Sequence, residues 1–186
     1  MIDQLIVQLD DTDPVRRQNA AIALGDLRGD GRSAVPHLLS RIRSASVTPY
    51  DRACAAWALG KVGSSEVVTQ LLFVLRAAAN QPETDELRRC VAEAIEQLTS
   101  DSDVLLQVAR TCLMDRFFKC KMIGLDLKGR LGEYGRELIP LVERLVHDEL
   151  PEIREEAKRT LDEPVCFELQ SSKPINYFEK PTESVP

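Results

Sequence analysis

Apolar side chains recur along the chain at intervals of three and four residues, which is the spacing of one face of an α-helix. Short polar turns rich in Pro, Gly, Asp and Ser interrupt this pattern. The pattern predicts a series of first helices at Ile2–Leu9, Val35–Ile42, Val67–Ala78, Val104–Leu113 and Leu138–Val146. A second helix follows each of them, most clearly between Thr48 and Gly63. There Thr48 is a good N-cap, Pro49 occupies the first helical position, and the glycines Gly60 and Gly63 are typical of a helix end.

The second helices are copies of one motif. Each carries a basic residue, and these residues are 33 to 36 positions apart, at Arg17, Arg52, Arg88, Lys121 and Arg154. Three positions later the side chain is small, at Ala20, Ala55, Val91, Gly124 and Ala157. Seven positions later it is aliphatic at Leu24, Leu59, Ile95 and Leu161, and Lys128 is the exception. The repetition predicts helix–turn–helix hairpins that stack on one another.

The turn before each second helix also repeats. Asp13-Pro14, Thr48-Pro49 and Leu150-Pro151 place a proline three residues before the basic column, and Thr84-Asp85 takes this place in the third unit. Asp or Thr at a helix start accepts hydrogen bonds from backbone amides that have no partner within the helix, so we expect caps here.

This combination resembles HEAT repeats, in particular the short bacterial HEAT-like type also seen in phycobilisome lyase subunits. The matching features are Asp-Pro before the second helix, the arginine column and the Ala-x-x-x-Leu-Gly sequence. The resemblance covers residues 2–162 and is weakest in the fourth unit, where Phe117-Phe118 replaces the cap and Gly124 replaces alanine. It implies an all-α fold, a right-handed α-α superhelix (a HEAT-like solenoid) of about five hairpins with an irregular C-terminal tail. The corresponding units are residues 1–31, 32–64, 65–100, 101–133 and 134–162.

Residues 163–186 form a proline-rich C-terminal extension in which the helical periodicity stops. Proline breaks helices, so the extension does not predict a sixth hairpin. It nevertheless contains the aromatic residues Phe167, Tyr177 and Phe178. Two interpretations remain open: the extension docks on the last repeat as a cap, or it is a flexible peptide that recruits a partner.

Composition and charge favour an ordinary globular protein in the cytoplasm. The 186-residue chain has a net charge of −6, and residues 162–186 carry five acidic and two basic side chains, so the repeats are nearly neutral. A generally basic surface of the kind that binds nucleic acid is therefore not predicted. The five cysteines, an odd number with no Cys-x-x-Cys pair, are expected to be reduced core residues. We find no secretory signal and no apolar run long enough to span a membrane.

The sequence predicts no catalytic, cofactor-binding or metal-binding residues. It has two histidines, His37 and His147, and neither belongs to a His-Glu pair of the kind that repeats in HEAT-repeat di-iron enzymes. Phosphate-binding loops and nucleophile motifs are not found either. We therefore predict that the protein is not an enzyme and needs no cofactor. An activity like that of phycobilin lyases is an alternative that the family resemblance alone implies.

One local basic patch favours a different alternative. Arg116, Lys119, Lys121, Lys128 and Arg130 cluster in the fourth unit against a single acid, Asp126. HEAT-like repeats also build alkylpurine DNA glycosylases, which hold DNA in a basic groove, so the patch is a candidate for phosphate contacts in nucleic-acid binding or repair. The other interpretation is an ordinary solvated helix face.

The strongest candidate for partner binding lies on the second helices, which in such solenoids line the concave surface. One ridge of each second helix starts one residue after the basic position and continues in steps of four residues. This ridge is mostly polar, but Ile22 and Trp57 are apolar and are neighbours on successive units. Lys61, Arg89 and Glu93 surround them in this register. Since Trp is enriched in binding hot spots, this set predicts an anchor site for another protein. Alternatively, Trp57 is buried between the repeats.

The arginine column itself has two interpretations, a binding surface or a ladder that ties adjacent turns together through acidic or carbonyl groups. We expect the ladder.

Taken together, the sequence predicts a non-enzymatic scaffold that binds another protein of unknown identity on its concave face.

Overall fold

The helices form where the apolar periodicity predicts them. A computed structural model describes residues 1–44, 46–79 and 81–162, and every regular element in these ranges is helical. The α-helices of the described residues are α1 (Ile2–Gln8), α2 (Pro14–Asp26), α3 (Val35–Arg43), α4 (Pro49–Val62), α5 (Val68–Ala77), α6 (Asp85–Leu98), α7 (Ser102–Leu113), α8 (Phe118–Leu131), α9 (Ile139–Leu145) and α10 (Pro151–Asp162). Short 3₁₀ helices connect some of them, at Arg28–Ala34, Ser65–Val67, Pro82–Thr84 and Gly132–Leu138. No helix in these ranges combines the length and the apolar character that crossing a membrane requires.

The helices pack as successive hairpins. Each odd-numbered helix contacts the even-numbered helix that follows it, and α2, α4, α6, α8 and α10 contact one another in that order. The even-numbered helices contact each other more extensively than the odd-numbered ones do, so their layer is the more closely spaced one. In a curved stack the closely spaced layer lies on the concave side, so the even-numbered helices form the concave surface. The fold is an all-α HEAT-like solenoid, as predicted.

The small and aliphatic columns are buried where neighbouring helices pack. All five small residues of the column are buried, as are Leu24, Leu59 and Ile95. Small side chains allow the backbones of neighbouring helices to approach closely. Gly124 of α8 shows this best, because a Cβ atom at this position would lie 2.8 Å from the backbone nitrogen of Leu113 in α7.

Two of the predicted helix caps form, at Asp13 and Thr48. The Asp13 carboxylate accepts from the amide of Val15 at 2.9 Å, and the Thr48 hydroxyl accepts from the amide of Asp51 at 3.2 Å. The helix α7 begins before its predicted start at Val104, because the Asp101 carboxylate caps it at Ser102.

The prediction of a cap at Thr84 is wrong. Thr84 precedes α6, but its side chain accepts no hydrogen bond from the helix amides. Its hydroxyl instead lies 2.8 Å from the carbonyl oxygens of both Ala78 and Gln81, and it accepts a hydrogen bond from Arg88. Thr84 therefore serves the arginine ladder and not the helix start.

The prediction for the C-terminal extension concerns residues 163–186, which lie outside the described residues. The last helix in the described ranges, α10, exposes a polar face that includes Glu152, Glu155, Lys158 and Arg159.

Candidate partner-binding groove

A groove with a volume of about 500 Å³ runs across the concave surface. It is lined by residues of four successive second helices: Ile22 and Asp26 of α2, Tyr50, Ala53, Cys54 and Trp57 of α4, Glu86, Arg89 and Cys90 of α6, and Lys119 of α8. Its wall on the side of α2 and α4 is mainly apolar, and its wall on the side of α6 and α8 is mainly charged. The groove contains three of the predicted anchor residues: Ile22, Trp57 and Arg89.

The groove exists because of the residue order in α4. Tyr50 and Trp57 are seven residues apart, so they lie on the same face of the helix, two turns from each other. Between them on this face are the small residues Ala53 and Cys54. Two large rings separated by small side chains leave a concave space. Tyr50 is 57% exposed, and Ile22 on the neighbouring helix is 41% exposed, so two large side chains that line the same concavity are open to solvent.

Trp57 is half-buried, so neither of the two predicted interpretations describes it completely. Its indole packs on the backbone of α2, where a Cβ atom at Gly25 would lie only 2.6 Å from Cζ3 of the ring. The Nζ atom of Lys61 lies 5.6 Å from the ring centroid, within the range of a cation–π interaction. The remaining surface of the ring lines the groove. The glycine therefore fixes the position of the ring and leaves part of it accessible to a partner.

The charged wall is an internal network, and this corrects the predicted place of Arg89. The sequence placed Arg89 on a solvated rim, but the residue is only 5% exposed. It donates to Glu86 and to Glu93, each at 2.6 Å. Lys119 of α8 donates to the other oxygen of Glu86 at 3.1 Å. Burial raises the pKa of Glu93, and the adjacent Arg89 only partly offsets this effect.

Two cysteines line the groove as protonated thiols. Burial is the main cause that raises the pKa of Cys54 to about 11, and Asp51 adds to it. Burial also raises the pKa of Cys90 to about 12. Since the thiolate is the reactive form of cysteine, both side chains are weak nucleophiles near neutral pH.

The cations of the predicted basic patch are all engaged with neighbouring units. Each of its five cations contacts a neighbouring unit: Arg116 pairs with Asp85, Lys119 with Glu86, Lys121 with Asp148, and Arg130 with Glu96, while Lys128 donates to the backbone oxygen of Thr160. Lys128 is only 6% exposed, so it is not part of a solvated face, because it occupies the aliphatic column of the repeat. Its ammonium group reaches the C-terminal end of α10, where carbonyl groups favour a positive charge. Lys119 is the member of the patch that lines the groove.

Two arginines of the column form the predicted ladder between units. Arg17 pairs with Asp51 of the next unit at 2.7 Å, and Arg88 pairs with Asp115 of the next unit at 2.6 Å. Arg52 and Arg154 donate to backbone carbonyl oxygens within their own units. The fully buried Arg88 is the most extensively bonded of them, and its hydrogen bonds to Asp115 are the main cause that raises its pKa.

Sequence reasoning missed several residues of the groove. Tyr50 carries a signal that was available, since it lies seven residues before Trp57 on the same helical face. Asp26 was part of the predicted concave ridge, four residues after Ile22, but it was not singled out. Cys90 and Lys119 line the groove only because of how successive units stack, and a local sequence pattern does not reveal that stacking.

Comparisons with known proteins agree with this architecture. A family model described as HEAT repeats matches residues 2–96, just over half of the chain. The chain belongs to the HEAT-repeat family. Its sequence matches no curated protein significantly.

Among solved structures, this HEAT-repeat chain is similar in fold to a chain in the structure of the complex of CpcE and CpcF of phycocyanin lyase from Nostoc sp. PCC7120. The TM-score is 0.62 and the sequence identity is 22%. The match covers 87% of this chain and 64% of that one, so this chain spans less than two thirds of the length of its neighbour. At this identity the similarity shows the shared fold.

Proposed function

We propose that the protein is a non-enzymatic interaction module that binds another protein in the concave groove. The observation that carries this proposal is the apolar wall formed by the exposed Ile22 and Tyr50 and the half-buried Trp57. Large apolar side chains that surround a concavity and are rimmed by polar groups are the usual anatomy of a protein-binding hot spot. The raised pKa values of the groove thiols support a binding role over nucleophilic catalysis at these residues. The unit boundaries given above and the cytoplasmic location remain parts of this proposal.

Replacing Ile22 by glutamate is the first test. Ile22 is 41% exposed, so the change leaves the core intact, but a partner would have to bury a carboxylate against an apolar surface. We expect the affinity for a partner isolated from native lysate to fall at least about thirtyfold, the equivalent of a hot-spot loss of 2 kcal/mol. Titration of the purified partner against the wild-type protein and the Ile22→Glu variant measures this loss of affinity.

A matched control separates the groove from general surface effects. Val7 of α1 is 74% exposed and lies outside the groove, so Val7→Glu introduces the same charge elsewhere. We expect this variant to bind like the wild type. Equal losses in the two variants, or no loss in Ile22→Glu, would show that the groove is not the binding site.

A second candidate is a subunit with a lyase-like role. The fold similarity to a chain of the phycocyanin lyase complex supports it, and that neighbour is itself part of a complex of two subunits. Co-expression with a chromophore-bearing substrate protein distinguishes the candidates, because only a lyase-like subunit would change the attachment of the chromophore. Nucleic-acid binding through Arg116, Lys119, Lys121, Lys128 and Arg130 is not carried forward, because each of these cations is engaged between units.

A further inference from the structure

Asp26 gives the groove an exposed negative charge. It lies four residues after Ile22, so the two side chains are on the same face of α2 and about 6 Å apart along the helix. Within residues 1–44, 46–79 and 81–162, Asp26 is exposed and forms no ion pair. It is also in the last turn of α2, where the helix dipole disfavours a negative charge. Its position therefore does not serve the stability of its own helix.

The other charges of the groove are occupied by internal partners. Arg89 is held between Glu86 and Glu93, and Lys119 donates to Glu86. The ammonium group of Lys61 lies over the ring of Trp57. The charge that remains for a ligand is the carboxylate of Asp26, so a complementary ligand carries a cation next to the apolar wall.

The apolar wall sets the shape of this ligand. Tyr50 and Trp57 are about 10.5 Å apart along α4, which is two helical turns. An amphipathic helix presents large apolar side chains at i, i+3 or i+4, and i+7 over the same distance. Such a helix can also carry a charged side chain one turn beyond an apolar one. This spacing matches the four-residue separation between Ile22 and Asp26 on α2.

We infer that the groove binds an amphipathic helical segment of a partner protein, with apolar side chains against Ile22, Tyr50 and Trp57 and a Lys or Arg paired with Asp26. This inference rests on the proposed function and specifies the chemistry of the partner. The apolar face of the segment supplies most of the affinity, and the ion pair fixes its orientation and charge preference.

Two designed peptides test the inference. Both are fluorescently labelled amphipathic helices of about four turns with leucine at i, i+4 and i+7. They differ only at the position one turn after the last leucine, which is Arg in one peptide and Glu in the other. We expect the full-length chain to bind the Arg peptide about fivefold more tightly than the Glu peptide by fluorescence anisotropy at low salt, the upper range for an exposed ion pair. Asp26→Asn should abolish this preference, and Asp26→Lys should reverse it. Asp30→Asn, an exposed change outside the groove, should keep it.

The outcomes separate this inference from the proposed function. The inference that the partner is a basic amphipathic segment is overturned by any of three results. These are no binding of either peptide, equal affinities for the two peptides, or a preference for the Arg peptide that persists in Asp26→Asn. If the natural partner still depends on Ile22 in any of these cases, the groove remains the binding site and the assigned class of partner is wrong. If the natural partner is indifferent to Ile22→Glu, the proposed function fails together with the inference.

Discussion

Replacing Arg88 by methionine is expected to lower the free energy of unfolding by about 3 to 5 kcal/mol, the usual cost of removing one partner of a buried ion pair. Arg88 is 0% exposed and bonds to both oxygens of Asp115, at 2.6 and 2.9 Å. It also donates to Asp85 and Thr84. Methionine keeps an unbranched apolar chain at this position but leaves the buried carboxylate of Asp115 without its main cation. Urea denaturation followed by circular dichroism measures the loss.

Arg154→Met is the matched control, because Arg154 holds the same position in the last unit. Its side chain is half-buried and donates to the backbone carbonyl oxygens of Asp148 and Glu149. Since no buried carboxylate loses a partner, we expect a loss of about 1 kcal/mol. A similar loss in the two variants would contradict the special role of Arg88. A double variant with Asp115→Asn should lose less than the sum of the two single losses, because the residues act as a pair.

Gly124→Val should also destabilise the protein, by about 3 kcal/mol, because it overpacks the contact between α7 and α8. A Cβ atom at Gly124 would lie 2.8 Å from the nitrogen and 2.9 Å from Cγ of Leu113. The nearest atom belongs to the backbone, so the two helices have to move apart. The change in the urea midpoint between the variant and the wild type reports this effect.

Gly29→Val provides the comparison for the glycine prediction. A Cβ atom at Gly29 has no neighbour within 4 Å, so the added side chain has open space. We expect a change within about 0.5 kcal/mol, as for other surface substitutions. If both glycine variants have the same urea midpoint as the wild type, the close approach of α7 and α8 does not require a glycine at position 124.

The architecture was predictable from sequence because the repeats encode it locally. Arg17, Ala20 and Leu24 occur in one fixed order, and each copy of this order produces the same helix with the same buried face. A signal that recurs in every unit is readable even where one copy is degenerate. Lys128 illustrates the degenerate case, since it occupies the buried aliphatic position and uses its amine to reach Thr160 of the next unit.

The groove was only partly predictable, because its shape depends on contacts between units. Ile22 and Trp57 stood out as apolar residues on a polar ridge, and both line the groove. The burial of Arg89 did not follow from its sequence position, because it results from two flanking glutamates in the stacked structure. The half-burial of Trp57 depends on Gly25, which lies in another helix.

Photo-crosslinking tests groove binding most directly, because it reports which surface the partner touches. Tyr50 and Phe73 are both exposed aromatic residues, at 57% and 71%, but Tyr50 lines the groove while Phe73 lies outside it on α5. A benzophenone amino acid at either position replaces one ring with a reactive one. We predict that the partner in native lysate crosslinks to position 50 and not to position 73. Crosslinking at position 73 without crosslinking at position 50 would contradict the concave groove as the binding site.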